Sequence, residues 1–110
     1  MTRDLEFNDV FCEAIDEVIT ELLGPSVLGS LYTALQTHHD INRDELPYRL
    51  ETVNSVLKQT FGVQSTNIIG MRVIYRLYKK LNLELVTQSD FNLIDYIKMA
   101  KSMLQERKES

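Results

Sequence analysis

Four basic side chains crowd the second half of the chain: Arg72, Arg76, Lys79 and Lys80. On a helix they fall at i, i+4, i+7 and i+8, a single positive stripe that Tyr75 and Tyr78 are placed to extend. Such a stripe has two chemistries open to it. It can meet phosphates, as the basic helices of many DNA-binding motifs do, or it can be solvated and pair with carboxylates. A matching acidic set stands near the N-terminus, where Asp9, Glu13, Asp16, Glu17 and Glu21 share the polar side of another helix-periodic segment. Residues 1–24 carry one base, Arg3, against seven acids, and residues 63–88 carry four bases against Glu84 alone. The net charge of −4 opposes general polyanion binding, which is driven by Lys and Arg displacing counterions from phosphates. Acid–base pairing or solvation therefore ranks ahead of nucleic acid.

The other candidate chemistries are weaker. His38 and His39 are adjacent, and neighbouring helical residues point about 100° apart, whereas helical metal motifs use positions three or four apart. They suit a helix C-terminus, where His interacts well with the dipole. Cys12 lies on the edge of an apolar arc beside Ile15 and Ile19, where a thiol behaves as a small hydrophobe and its pKa tends to rise, the reverse of what a nucleophile needs. Gly24, Gly29, Gly62 and Gly70 form no phosphate-cradling cluster, and no Lys-Ser or Lys-Thr pair follows them. The acids of the first segment stand on its polar face, with no apolar pocket in view to separate their pKa values. The expectation is a non-enzymatic protein with no cofactor and no metal.

The elements that must hold these residues are all helical by the 3.6-residue period. The first, about Asn8 to Leu23, gathers Phe11, Ile15, Val18, Ile19, Leu22 and Leu23, and Gly24-Pro25 marks a stop followed by a new first turn. The second, about Pro25 to His38, gathers Val27, Leu28, Leu31, Tyr32 and Leu35. Residues 39–47 read as an ordered loop pinned by Ile41 and Leu46 and ended by Pro47. The third, about Tyr48 to Thr60, buries Leu50, Val53, Val56 and Leu57, with Phe61-Gly62 as its left-handed stop. The fourth, about Thr66 to Leu81 with Ser65 as N-cap, has an apolar arc over more than half its circumference, which predicts a central helix. Gly70 sits mid-arc, where a missing side chain lets another backbone approach. Leu83-Glu84-Leu85-Val86 reads as an apolar connector, because one short strand has no partner. The fifth, about Asp90 to Gln105 and opened by Thr87 or Ser89, buries Leu93, Tyr96, Ile97, Ala100 and Leu104.

The prediction is an all-α, compact, five-helix bundle-like domain spanning 1–110, with 1–7 and 106–110 frayed and helices joined by short loops packing largely antiparallel. The composition, 44% hydrophobic and 25% charged, is that of a folding globular chain. No apolar run suggests a membrane segment or signal peptide, and a lone cysteine suits a reducing compartment, so a cytoplasmic location is expected.

The order of motifs resembles the Nitrosopumilus output domain family, small domains of ammonia-oxidising archaea. The resemblance runs from Leu23-Gly24 and Leu31-Tyr32-Thr33-Ala34-Leu35 through residues Ile41 to Pro47 and Phe61-Gly62. It continues in Ile68-Ile69, Leu77-Tyr78-Lys79-Lys80-Leu81, Phe91 and Asp95-Tyr96-Ile97. After Phe61-Gly62 the chain has Val63-Gln64-Ser65-Thr66 where the family pattern has another small-residue pair. The resemblance implies a signalling output role in archaea and carries over no site residue. The leading expectation is a protein-interaction module, for which the wide apolar arc of the fourth helix and the many apolar residues of the fifth make a homodimer plausible. Behind it stands a transcriptional regulator whose fourth helix contacts DNA. A third reading is a small-molecule sensor with an interhelical pocket lined by Met71, Tyr75, Phe91 and Met99.

Overall fold

A computed structural model describes the backbone of residues 2–109 and the side chains of residues 6–107. Among the described residues there are five α-helices, one short 3-10 helix and no strand: α1 (Thr2–Leu23), α2 (Pro25–His39), the 3-10 helix (Arg43–Tyr48), α3 (Leu50–Phe61), α4 (Val63–Lys80) and α5 (Leu93–Glu109). None of the helices among the described residues is long and apolar enough to cross a membrane.

Two glycines make the sharpest turns. Gly24 (φ 95°, ψ 159°) and Gly62 (φ 87°, ψ 165°) each end one helix and begin the next with no intervening residue. Those dihedrals are open almost only to glycine, because a Cβ would clash with the backbone. At Gly24 the Gly-Pro signal reads as expected. At Gly62 the turn is not the left-handed cap anticipated, and α4 starts at Val63, leaving Ser65 inside the helix rather than capping it. The glycine does the work of a cap by reversing the chain in one step. α2 ends on Asp40 and α4 on Asn82, both left-handed, as short polar side chains tolerate. At Asn82 the Leu83 N–H donates to the Tyr78 carbonyl at 2.9 Å and the Asn82 N–H to the Lys79 carbonyl at 3.1 Å, the paired bonds of a Schellman stop.

The connector expected as a loop closes into the 3-10 helix. The Asn42 N–H donates to Glu45 Oε1 at 3.0 Å and the Glu45 N–H to the Asn42 carbonyl at 2.9 Å, which starts the turn. Pro47 fits because the ring's fixed φ lies in the 3-10 range and so short a helix loses only one bond to it. Ile41 and Leu46 are buried, as the sequence suggested. α5 begins later than expected, at Leu93, where the Asn92 N–H donates to Asp95 Oδ2 (3.1 Å) and the Asp95 N–H to Asn92 Oδ1 (3.0 Å). That reciprocal box caps the helix in place of Thr87 or Ser89.

α1, α2, α3 and α4 alternate in direction. α5 does not. Leu93 lies over Gly70, Tyr78 reaches Tyr96 and Arg107 reaches the Leu81 carbonyl, so contacts climb α4 and α5 together. Residues 81–92 make this possible by running back along the bundle. Leu83 and Leu85 pack on the core, and the Tyr96 hydroxyl accepts from the Gln88 N–H (2.9 Å) and donates to the Gln88 carbonyl (3.2 Å).

The core joins every element. Phe11, Ile15, Val18 and Ile19 of α1, Leu31 and Leu35 of α2, Val53, Val56 and Leu57 of α3, and Tyr96, Ile97, Ala100 and Leu104 of α5 surround Ile69, Val73, Ile74 and Leu77 of α4. Leu22 and Leu23, expected inside, lie in the last turn of α1 and are about two-fifths exposed. Helix α1 also begins earlier than Asn8. Met1 and Ser110 of the expected frayed ends lie outside the described residues, but Phe7 is buried, stacks on Phe11 and sits under Lys101 Nζ at 5.3 Å from its ring centroid. Gly70 is buried as a packing position, yet its neighbour is the Leu93 side chain rather than a backbone.

Candidate functional site: the charged seam and the outer ridge of α4

The acidic and basic stripes meet. Because α1 and α4 lie antiparallel, the polar edge of α1 runs beside the edge of α4 that carries Arg76 and Lys80. Arg76 Nη1 donates to Glu21 Oε1 (2.8 Å) and to Glu17 Oε1 (3.2 Å), and Arg76 Nη2 to Glu21 Oε2 (2.8 Å). Lys80 Nζ donates to Glu17 Oε2 at 2.9 Å. The forked Arg76–Glu21 contact has the planar geometry in which guanidinium and carboxylate pair best. Hydrogen bonds from Lys80 hold the Glu17 carboxyl below its ordinary range, and those from Arg76 do the same for Glu21.

A second charged cluster ties α1 to α2 and the 3-10 helix. Arg43 donates to Asp16 Oδ2 from Nε (3.0 Å) and Nη2 (2.7 Å), and the Tyr32 hydroxyl donates to Asp16 Oδ1. Burial, with the hydrogen bond to Asp16, pushes the Tyr32 hydroxyl upward, and the bond to Asp16 raises Arg43. Below them the Cys12 thiol donates to the Arg43 carbonyl at 3.2 Å, and burial pushes its pKa up to about 11. Cys12 is a core residue with its proton held in place, which removes the thiolate a nucleophile requires.

The candidate residues therefore divide. Asp16, Glu17 and Glu21 are engaged within the chain, while Asp9 and Glu13 face solvent. Arg76 and Lys80 are paired. Tyr78 leaves the surface set altogether: it is buried, its hydroxyl donates to the Tyr96 carbonyl at 2.8 Å, and burial raises its pKa. Arg72, Tyr75 and Lys79 remain exposed, and Arg72 acts on Glu21 only through the longer-range field.

Sequence reasoning missed one member of this surface. Ile68 is 59% exposed and Tyr75 55%, and with Arg72 and Lys79 they fall at i, i+4, i+7 and i+11, one outward ridge along α4. The same period that located the basic stripe contained this signal, but an isoleucine flanking an apolar arc reads as core until the neighbouring helices are placed. His38 and His39 occupy the last turn of α2, and among the described residues no three His, Cys, Asp or Glu side chains converge as metal ligands would.

Most of the wide apolar arc of α4 that suggested a dimer is covered within the chain, since Gly70, Val73, Ile74, Leu77 and Tyr78 are buried, while Tyr75 of the same arc stays exposed. Comparison with known protein families, with curated proteins and with solved structures finds no match to this chain.

Proposed function

We propose that this chain is a non-enzymatic protein-interaction module of signal transduction, an output domain whose contact surface is the α4 ridge Ile68, Arg72, Tyr75 and Lys79. One observation carries the reading: two large side chains, Ile68 and Tyr75, stand exposed and alternate along the ridge with two bases, Arg72 and Lys79, that make no ion pair among the described residues, on a helix whose other bases are neutralised internally. Exposed aromatic and Arg side chains are the usual anchors of protein interfaces, and the bases select a partner with carboxylates opposite. The resemblance of the motif order to that of archaeal output domains is what suggests the signalling role, and the lone buried Cys12 suits a cytoplasmic setting. The same ridge also offers exposed apolar surface of the kind that self-association buries.

The second reading, a DNA-binding regulator, keeps only Arg72 and Lys79 of the original stripe. Two phosphate contacts give a shallow salt dependence and weak affinity. The deciding experiment measures binding to mixed duplex DNA across a salt series, with oligomeric mass in the same buffer, for the native chain and for Arg72→Glu with Lys79→Glu. The expected result is no DNA binding at low salt, and a photocrosslinker placed at Tyr75 in cells giving a discrete protein adduct that the double variant loses. DNA affinity that falls steeply with salt and disappears in the double variant would replace the interaction module with the regulator.

A further inference from the structure

The face that carries the ridge also carries its chemical opposite. α1 and α4 lie antiparallel, in a register fixed by the pairs of Arg76 with Glu17 and Glu21 and of Lys80 with Glu17. Moving four residues along a helix turns the side chain direction by about 40°. Glu13 therefore stands about 40° round α1 from Glu17, and Arg72 about 40° round α4 from Arg76, each turned from the seam towards solvent. Both are exposed. One surface thus presents an acidic strip along α1 beside the basic ridge of α4. Glu13, Arg72 and Lys79 make no ion pair among the described residues, and Glu17 and Glu21, though paired, keep side chains 42% and 56% exposed.

Strips of opposite sign, side by side and antiparallel, meet a copy of themselves favourably in one symmetric way. A two-fold axis parallel to the helices lays the α1 of each copy antiparallel along the α4 of the other, so that acid covers base twice. A two-fold axis across the helices stacks α1 on α1 and α4 on α4, and like charges oppose each other.

We propose that the occupant of the ridge is a second copy of this chain, bound about a two-fold axis parallel to α1 and α4. The inference rests on the ridge being the contact surface and names its partner. The register of the seam sets Lys79 level with the turn from Glu13 to Glu17, Tyr75 level with Thr20, and Arg72 level with Glu21. Ile68 comes at the end of α1, where Leu22 and Leu23 are exposed. In the dimer each ridge residue meets the α1 residues at its own level on the other copy. Ion pairs at a surface contribute little by themselves, and the exposed Ile68, Tyr75, Leu22 and Leu23 supply the apolar area that such a contact needs.

Sedimentation equilibrium of the full chain and of two charge-reversed variants tests the geometry. Arg72→Glu with Lys79→Glu turns the α4 strip acidic, and Glu13→Lys with Thr20→Lys turns the outer α1 strip basic. All four positions are exposed, and circular dichroism checks that each variant keeps its helices. The native chain should dimerise, and each variant alone should associate about a hundredfold more weakly, because like charges then face each other. Mixed in equal amounts, the two variants should recover a dimer of one copy of each. The acidic α4 of the first meets the basic α1 of the second, and their unaltered strips already complement one another. A native chain that stays monomeric at millimolar concentration, variants that associate as the native chain does, or a mixture that stays monomeric would each overturn the proposal. The crosslinker at Tyr75 keeps this test separate from that of the ridge. An adduct of twice the chain mass is expected; an adduct of another mass, with a monomeric chain, overturns the dimer and leaves the ridge standing, and no adduct at all overturns both.

Discussion

The same substitution should have opposite effects at two glycines. At Gly70, inside α4, an added Cβ would lie 3.5 Å from both Leu93 methyls and 3.8 Å from Leu93 Cγ, ordinary van der Waals separation. Alanine exceeds glycine by about 1 kcal/mol in a helix interior, and a buried methyl contributes up to roughly 0.8 kcal/mol more. Small displacement of Leu93 offsets part of this, so Gly70→Ala should stabilise the fold by about 1 kcal/mol, on the order of 4–8 °C in Tm for a domain near this size. At Gly62 nothing lies within 4 Å of the added Cβ, so sterics with neighbours are not the issue. The backbone itself is: φ 87° with ψ 165° costs a non-glycine residue roughly 1–3 kcal/mol, less about 0.4–1 kcal/mol recovered from a stiffer unfolded chain. Gly62→Ala should therefore destabilise by about 1–2 kcal/mol. Urea titration followed by circular dichroism measures both, and an unchanged m-value would attribute the shifts to stability. If Gly70→Ala lost 1 kcal/mol or more, α5 must approach α4 more closely than the Leu93 contact allows. A neutral Gly62→Ala would mean that the α3–α4 turn is not fixed by that glycine, and the reasoning for both positions would fail.

Three further outcomes follow from particular contacts. Phe7→Ala should destabilise by about 3–4 kcal/mol in the same urea titration, because Phe7 is 1% exposed between Phe11 and Lys101; a change near zero would mean that this turn of α1 is frayed in solution. Cys12 should resist iodoacetamide at pH 8 in the native chain and react at once in denaturant. Since burial raises its folded pKa to about 11 from an ordinary 9.0, its contribution to stability should be full below pH 9 and lost between about 9 and 11, a decline that Cys12→Ala abolishes. Glu17 and Glu21 have folded pKa values held below the ordinary 4.5, so the α1–α4 seam stabilises above that value and weakens as pH falls through the folded pKa values. Replacing both with Gln should flatten the acid limb of a stability–pH profile, and an unaltered limb would show the seam to be thermodynamically silent, as solvent-exposed ion pairs often are.

The sequence by itself determined the secondary structure class, the greater part of the apolar face of each helix and the burial of Cys12, because these depend on local period and composition. Val53, Val56 and Leu57 face the core for the same reason that Glu51 and Lys58 do not: the helix repeats every 3.6 residues whatever it packs against. Segregated charge between α1 and α4 was equally legible, and Gly24-Pro25 announced its own turn. Which bases would be neutralised was not. Arg76 and Lys80 differ from Arg72 and Lys79 only by a rotation about the α4 axis, and the antiparallel placement of α1 along one edge selects the first pair and leaves the second outside. Tyr78 and Tyr75 separate for the same reason, one donating to Tyr96 in the core and the other exposed beside Ile68. The direction of α5 is a further step removed, since it runs parallel with α4 only because residues 81–92 return across the bundle. Periodicity specifies a face of one helix; a site requires knowing which faces are covered, and only the packing of all the helices decides that.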